Sequence, residues 1–188
     1  MKGFNGDENI KNELSKLIKL FNISTIVETG TYMADTTKLF SRMAPYVFTI
    51  ENNENYYNKS AKELNSLNNV KAIKGNSPAV LKEIFLNPDF KLPALFYLDA
   101  HWYNYNPLLD ELKEISKAGI IQCVIAIHDF KVPGKDFGYD CFPDGTPYTI
   151  DSIKNLLGGI YGTDNYSYYY NNTAEGSYRG IIYIHPKI

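Results

Sequence analysis

The chain has 188 residues, 44% of them hydrophobic and 21% charged, a composition that excludes disorder, collagen and coiled coil and gives one domain enough length for its own core. Its 19 basic and 21 acidic side chains leave a formal charge of -2, which supplies no broad electropositive field for nucleic acid or an anionic membrane. Two cysteines, Cys123 in an apolar run and Cys141 in a polar loop, make no disulfide framework, and with no stretch that reads as an export signal or a membrane span the expected compartment is the cytoplasm.

Residues 8–21 place Ile10, Leu14, Leu17, Ile18 and Phe21 on one helical face, so an N-terminal helix within residues 1–22 should pack on a sheet. A β-branched run at 23–28 then stops at Glu28-Thr29-Gly30, and a helix opens near Asp35, Thr36 and Thr37. The same unit repeats: strands at 46–51, 69–75 and 93–100 precede helices near 53–66, 77–86 and 107–118. Tyr56 and Tyr57 are expected to pack the helix near 53–66, that of the second strand–helix unit. A fifth, nearly all-apolar strand at 120–130 suits the centre of a sheet covered on both faces.

The rhythm then changes. Residues 131–148 form a long loop with several prolines, glycines and aromatics, expected to be a mobile flap, and a helix over 149–157 brings the chain back. Runs at 165–172 and 177–186, separated by TAEG, read as a closing hairpin in which Tyr166, Tyr168 and Tyr170 share one face. The predicted fold is α/β: one Rossmann-like, doubly wound domain spanning 1–188, with five parallel strands, a C-terminal antiparallel hairpin and helices on both faces. The sequons at Asn22, Asn165 and Asn171 read as accidents of an asparagine-rich chain, and His185 as a packing residue.

In such a sheet, ligands bind beyond the carboxyl ends of the strands, where strand order reverses. Strand 1 ends at Glu28-Thr29-Gly30-Thr31-Tyr32, with one glycine at the turn and Ala34 where a later glycine would stand, so it is no dinucleotide fingerprint. Glu51 follows at the end of strand 2, placed to accept from both hydroxyls of a ribose. Asn76 and Ser77 end strand 3, where an adenine edge would lie, although Ser77-Pro78 is also an ordinary helix start. Strand 4 ends in Asp99-Ala100-His101-Trp102-Tyr103 and strand 5 in His128-Asp129-Phe130. Carboxylates gathered at one sheet edge repel one another, and a ligand site accounts for them better than capping alone.

In their order, VETGTYMADTT, the acid of TIEN, KGNS, LDAHW and IHDF resemble the motifs of class I S-adenosylmethionine-dependent methyltransferases over residues 23–186. LDAHW and IHDF are most similar to macrocin-type O-methyltransferases and cephalosporin-hydroxylase-like proteins, which carry acids at these strand ends and bind a divalent metal there. His101 and His128 depart from that pattern by standing where acids would be. The resemblance implies transfer of a methyl group from S-adenosylmethionine to a hydroxyl of a small molecule. It places Gly30, Thr31, Tyr32 and Thr36 at the methionine part, Glu28 or Asp99 at its ammonium, Glu51 at the ribose, and Asn76 and Ser77 near adenine.

His101, Asp99 and Asp129 are the candidate catalytic residues. His101, His128 and Asp129 are the candidate ligands of magnesium, manganese, iron or zinc, their mixed N/O chemistry being softer than an all-oxygen shell. Without an ion, His101 would serve as a general base. Trp102, Tyr103, Tyr105, Phe130, Phe137, Tyr139 and Phe142 are the aromatics expected around the acceptor mouth. A binding module without turnover, and a His/Asp metal-dependent oxygenase, are the rival readings.

Overall fold

A computed structural model describes residues 3–101 and 105–188. Trp102 and Tyr103, two of the aromatics expected at the mouth, lie outside the described residues. After a 3-10 turn at Gly3–Gly6, six helices and seven strands follow: α1 Glu8–Leu20, β1 Thr25–Thr29, α2 Asp35–Phe40, β2 Tyr46–Glu51, α3 Glu54–Leu64, β3 Val70–Lys74, α4 Ser77–Phe85, β4 Ala94–Leu98, α5 Leu108–Lys117, β5 Cys123–His128, α6 Ile150–Tyr161, β6 Tyr166–Tyr170 and β7 Ile181–Pro186.

The strands form one sheet in the order β3-β2-β1-β4-β5-β7-β6. The first five are parallel, β7 runs antiparallel to β5, and β6 antiparallel to β7. Order reverses between β1 and β4, and their carboxyl ends part there to leave a crevice.

Alternation along the central strands divides the core. Val27, Phe96, Leu98, Ile125 and Ile127 face α4, α5 and α6, whereas Ile26, Leu95, Tyr97, Val124 and Ala126 face α1 and α2. The expected doubly wound arrangement follows from this alternation. Asp7 caps α1 by accepting from the amides of Asn9 and Ile10. Pro78 stands in the first turn of α4, where a missing amide proton costs nothing.

Three boundaries differ from expectation. α6 runs through Gly158 and Gly159 to Tyr161, because α5 approaches so closely that a Cβ on Gly159 would stand 2.7 Å from Ser116 Oγ. The fifth strand begins at Cys123 and not at 120, since Gly119 takes a positive φ of 66° and turns the chain after α5. β7 begins at Ile181, so residues 177–180 belong to the connection between the last two strands and bend across the sheet end. Tyr168 and Tyr170 do share a face, with ring centroids 5.9 Å apart, and His185 packs on Phe21 at 5.1 Å. Cys123 and Cys141 are both free thiols. Among the described residues, no helix is long and apolar enough to cross a membrane.

Candidate active site

The crevice at the switch point is a cleft of about 680 Å³. Its floor is the turn after β1. Gly30 has φ +87°, and a Cβ there would meet the carbonyl oxygen of Asp99 at 2.8 Å, so only glycine lets this turn lie against the end of β4. Ala34, where a second glycine was looked for, adopts the left-handed conformation at φ 63° and leads into α2. The turn that glycine would make is therefore present, at the steric cost of a methyl group.

Glu51 ends β2, is 5% exposed, and holds the turn in place. One carboxylate oxygen accepts from the amide of Tyr32 at 2.8 Å and the other from the amide of Asn53 at 2.7 Å. Each oxygen keeps a lone pair for the cleft. Thr31, Tyr32, Thr36, Ser77 and Asp99 also line it, as the sequence predicts.

Two expected cofactor residues do not line the cleft. Glu28 is buried beneath the turn, where Thr37 and Thr49 donate to its carboxyl, and burial pushes its pKa up to about 8. Thr31 closes this chain, 2.6 Å from Thr49. Glu28 shares the face of Ile26, two residues before it, and so points toward α2 and away from the cleft. Asn76 stands at the N-terminus of α4, without a side-chain cap bond and outside the cleft, while its neighbours Gly75 and Ser77 form the wall.

The cleft also recruits residues that the sequence did not single out. Asn5 reaches it from the N-terminal turn, where Phe4 and Asn5 both have φ 53°. Phe4 is buried against Phe40 and Tyr97, and its amide donates to Thr36 Oγ1. Tyr56, expected to pack α3, instead lines the cleft with its ring 4.6 Å from that of Tyr32. Asn5 carried no periodic signal, because its place depends on contacts with distant parts of the chain.

The ends of β4 and β5 hold the charged cluster. Asp129 has φ 58°, a left-handed conformation that a non-glycine residue adopts only when its surroundings enforce it. His128 is buried, with Nδ1 at 3.0 Å from Asp99 and 3.1 Å from Asp129. Neither ring nitrogen makes a well-aligned hydrogen bond, so these contacts are ion pairs. Burial opposes charge on His128, but Asp99 and Asp129 outweigh it and hold the imidazole protonated well above its usual range. Burial likewise raises Asp99, whereas the charges of His128 and Arg179 overcome burial at Asp129 and keep its carboxyl below the ordinary range.

His101 stands apart from His128. It is 57% exposed at the cleft, with Nδ1 3.6 Å from Asp140 and Nε2 4.0 Å from Asp129. The trio predicted to bind a metal, His101, His128 and Asp129, is thereby divided between two groupings: Asp99, His128 and Asp129 on the inside, and His101, Asp129 and Asp140 on the outside. The carboxylate of Asp129 lies between the two histidines and serves both.

Arg179, which the sequence did not single out, enters from the connection before β7. Its Nε donates to Asp129 and its Nη2 to Asp140. Asp140 belongs to the loop of 131–148, which is tied down by backbone bonds: the amide of Asp140 donates to the carbonyl of Asp129 at 2.8 Å, and that of Lys131 to Tyr148 at 2.9 Å. Of the aromatics expected at the mouth, Phe130 and Phe137 are buried packing residues, while Tyr105 and Tyr139 are exposed.

No protein-family model matches the sequence, and no curated protein matches it. Solved structures do resemble the fold. The O-methyltransferase TomG of Streptomyces achromogenes, involved in tomaymycin synthesis and solved with S-adenosylmethionine, superposes with a TM-score of 0.66 at 16% identity over 94% of this chain and 78% of its own. An O-methyltransferase from Bacillus cereus in complex with S-adenosylhomocysteine gives 0.63 at 16% identity over 93% and 79%. The S-adenosylhomocysteine-bound methyltransferase PaMTH1 of Podospora anserina gives 0.59 at 16% identity over 94% and 77%. Strand order, the closing antiparallel pair and these superpositions together establish that the chain shares the fold of these methyltransferases.

Proposed function

We propose that the protein is an S-adenosylmethionine-dependent methyltransferase acting on a hydroxyl of a small molecule. The observation that carries this reading is Glu51: a carboxylate fixed by two backbone amides at the end of β2, facing a cleft whose far side is lined by Asp99, His101 and Asp129. A carboxylate so held matches two vicinal hydroxyls of a ribose. The cofactors bound by the structural neighbours, named above, support the same assignment.

In this reading Gly30, Thr31, Tyr32 and Thr36 receive the methionine part, and Asp99, the one of the two candidate acids that lines the cleft, takes the ammonium. Ser77 borders the adenine end. Transfer is an in-line displacement: the acceptor oxygen forms a bond to the methyl carbon as the carbon–sulfur bond breaks, and the electron pair returns to sulfur. The acceptor's proton goes to His101, exposed at the cleft with Asp140 and Asp129 behind it to stabilise the imidazolium.

The resemblance also implies a divalent ion on this side, and the residues present do not fit one. Both groupings of potential ligands use Asp129, and the oxygen of Asp129 nearest His128 also accepts from Arg179. No step is therefore routed through a metal.

Titration calorimetry with S-adenosylmethionine, followed by assay of S-adenosylhomocysteine release over a panel of hydroxylated metabolites, tests the proposal. Binding with release is expected. Absence of binding would refute the cofactor, and binding without release on any acceptor would favour a module without turnover.

A further inference from the structure

Three carboxylates, Asp99, Asp129 and Asp140, converge at the ends of β4 and β5 and the loop that follows. Such a convergence demands positive charge. In the metal-dependent O-methyltransferases that the sequence resembles, the divalent ion supplies it. Here the protonated His128 faces Asp99, and the chain brings a guanidinium to the other two, with Arg179 donating to Asp129 through Nε and to Asp140 through Nη2. This fork spans 50 residues to one acid and 39 to the other, so it fastens three separate segments.

The surroundings are built for that side chain. Gly138 and Arg179 form a parallel bridge, in which the amide of Gly138 donates to the carbonyl of Tyr178 and the amide of Gly180 to the carbonyl of Gly138, both at 2.9 Å. A Cβ on Gly138 would stand 2.8 Å from Arg179 Cδ and 3.1 Å from its Nη1, so glycine is what lets the arginine stem pass. Gly180 presses equally hard on the end of β5, where a Cβ would lie 2.1 Å from the carbonyl oxygen of Phe130. The backbone on both sides of Arg179 is thereby fixed before any ligand arrives. The second oxygens of Asp129 and Asp140 remain turned toward His101.

We infer that Arg179 is the resident cation of this side of the cleft, a positioning residue that supplies from within the chain the counter-charge a divalent ion supplies in metal-dependent enzymes, so that the site excludes such an ion. The inference rests on the methyltransferase reading only in calling this the acceptor side. A dication at the inner grouping would share an Asp129 oxygen with the guanidinium, and one at the outer grouping would face the second oxygens of carboxylates whose charge the guanidinium already offsets. Removing the charge while leaving the carboxylates turns the same cluster into an open cation site.

Manganese titration followed by electron paramagnetic resonance tests this on the full chain without any cofactor. The parent and Arg179→Lys, which keeps the charge, are expected to leave the manganese signal free up to millimolar concentration. Arg179→Met is expected to bind one ion at least tenfold more tightly, and Arg179→Gln serves as the second neutral variant should the Met variant fail to fold. Stoichiometric manganese binding by the parent, as tight as in the neutral variants, overturns the inference. So does silence in a folded neutral variant, or binding by the Lys variant equal to that of the Met variant. Failure of the parent to bind S-adenosylmethionine would refute the methyltransferase reading and leave the manganese result standing.

Discussion

The two halves of the cleft are built by different means. At the ends of β1 and β2, backbone groups do the work: amides of Tyr32 and Asn53 hold Glu51, and the turn at Gly30 rests on a main-chain carbonyl. At the ends of β4 and β5, side chains do it: Asp99, His128, Asp129, Asp140 and Arg179 hold one another by charge. The first half needs main-chain groups that any residue supplies, plus one glycine and one carboxylate. The second needs five particular side chains brought together from β4, β5, the loop that follows and the stretch before β7. A pocket of the first kind recognises a constant ligand, and one of the second kind can change its chemistry by exchanging a few side chains.

The comparison breaks most visibly through the reaction itself. His101→Ala should lower kcat by roughly 10²–10⁴-fold, the contribution of a general base, while leaving calorimetric affinity for S-adenosylmethionine within about twofold, because this residue belongs to the acceptor half. A matching loss of cofactor affinity would show that the halves are not separable. Glu51→Ala makes the opposite cut. It removes an acceptor of charged hydrogen bonds worth roughly 1.5–3 kcal/mol, so S-adenosylhomocysteine should bind about 10- to 150-fold more weakly. Unchanged binding would place the ribose elsewhere.

A smaller effect separates the halves by pH. The carboxyl of Glu28, buried under the cofactor turn, is raised to about 8, whereas an unfolded glutamate titrates near 4.5. Between these values the native state holds a proton that the unfolded chain has released, so this burial costs stability progressively as pH rises from about 4.5 through about 8. Glu28→Gln cannot ionise and should lose that slope. The difference is on the order of 2–4 kcal/mol, and each kcal/mol is worth about 2–4 °C in a chain of this size. Parallel melting curves for the two proteins between pH 5.5 and pH 8.5 would count against a neutral Glu28.

The same division explains what the sequence could reveal. Apolar runs that end in acids, β-branched before Glu28 and Glu51 and made of leucine and aromatics before Asp99, announce strands and their carboxyl ends, because burial on both faces and the ensuing turn leave a local signature. Gly30 and Glu51 were legible because each stands at or just past the end of a β-branched strand, although their partners Asp99 and Tyr32 are distant in sequence. Arg179 was hidden: it sits in an irregular stretch, and its partners lie 50 and 39 residues away. Asn5 was hidden for the same reason. Glu28 and Tyr56 were misplaced by side-chain direction, which a strand end or a helix start does not reveal until the neighbouring layer is present. The helix expected over 149–157 runs on to Tyr161, and α6 uses Gly159 for close approach to Ser116.

The N-terminal turn sets an order of events during synthesis. Asn5 is presented to the cleft by a turn whose next residue but one, Asp7, accepts from the amide of Glu175, and whose backbone lies against Gly176, where any Cβ would stand 2.1 Å from the carbonyl of Asn5. Residues 5–7 are thus anchored by residues about 170 positions later in the chain. As the nascent chain leaves the ribosome, β1 to β5 can pair while that wall is still missing, and the cofactor cannot be gripped from its N-terminal side until the segment around Gly176 has emerged. The cleft is therefore completed only when the segment around Gly176 has joined the turn at Asn5.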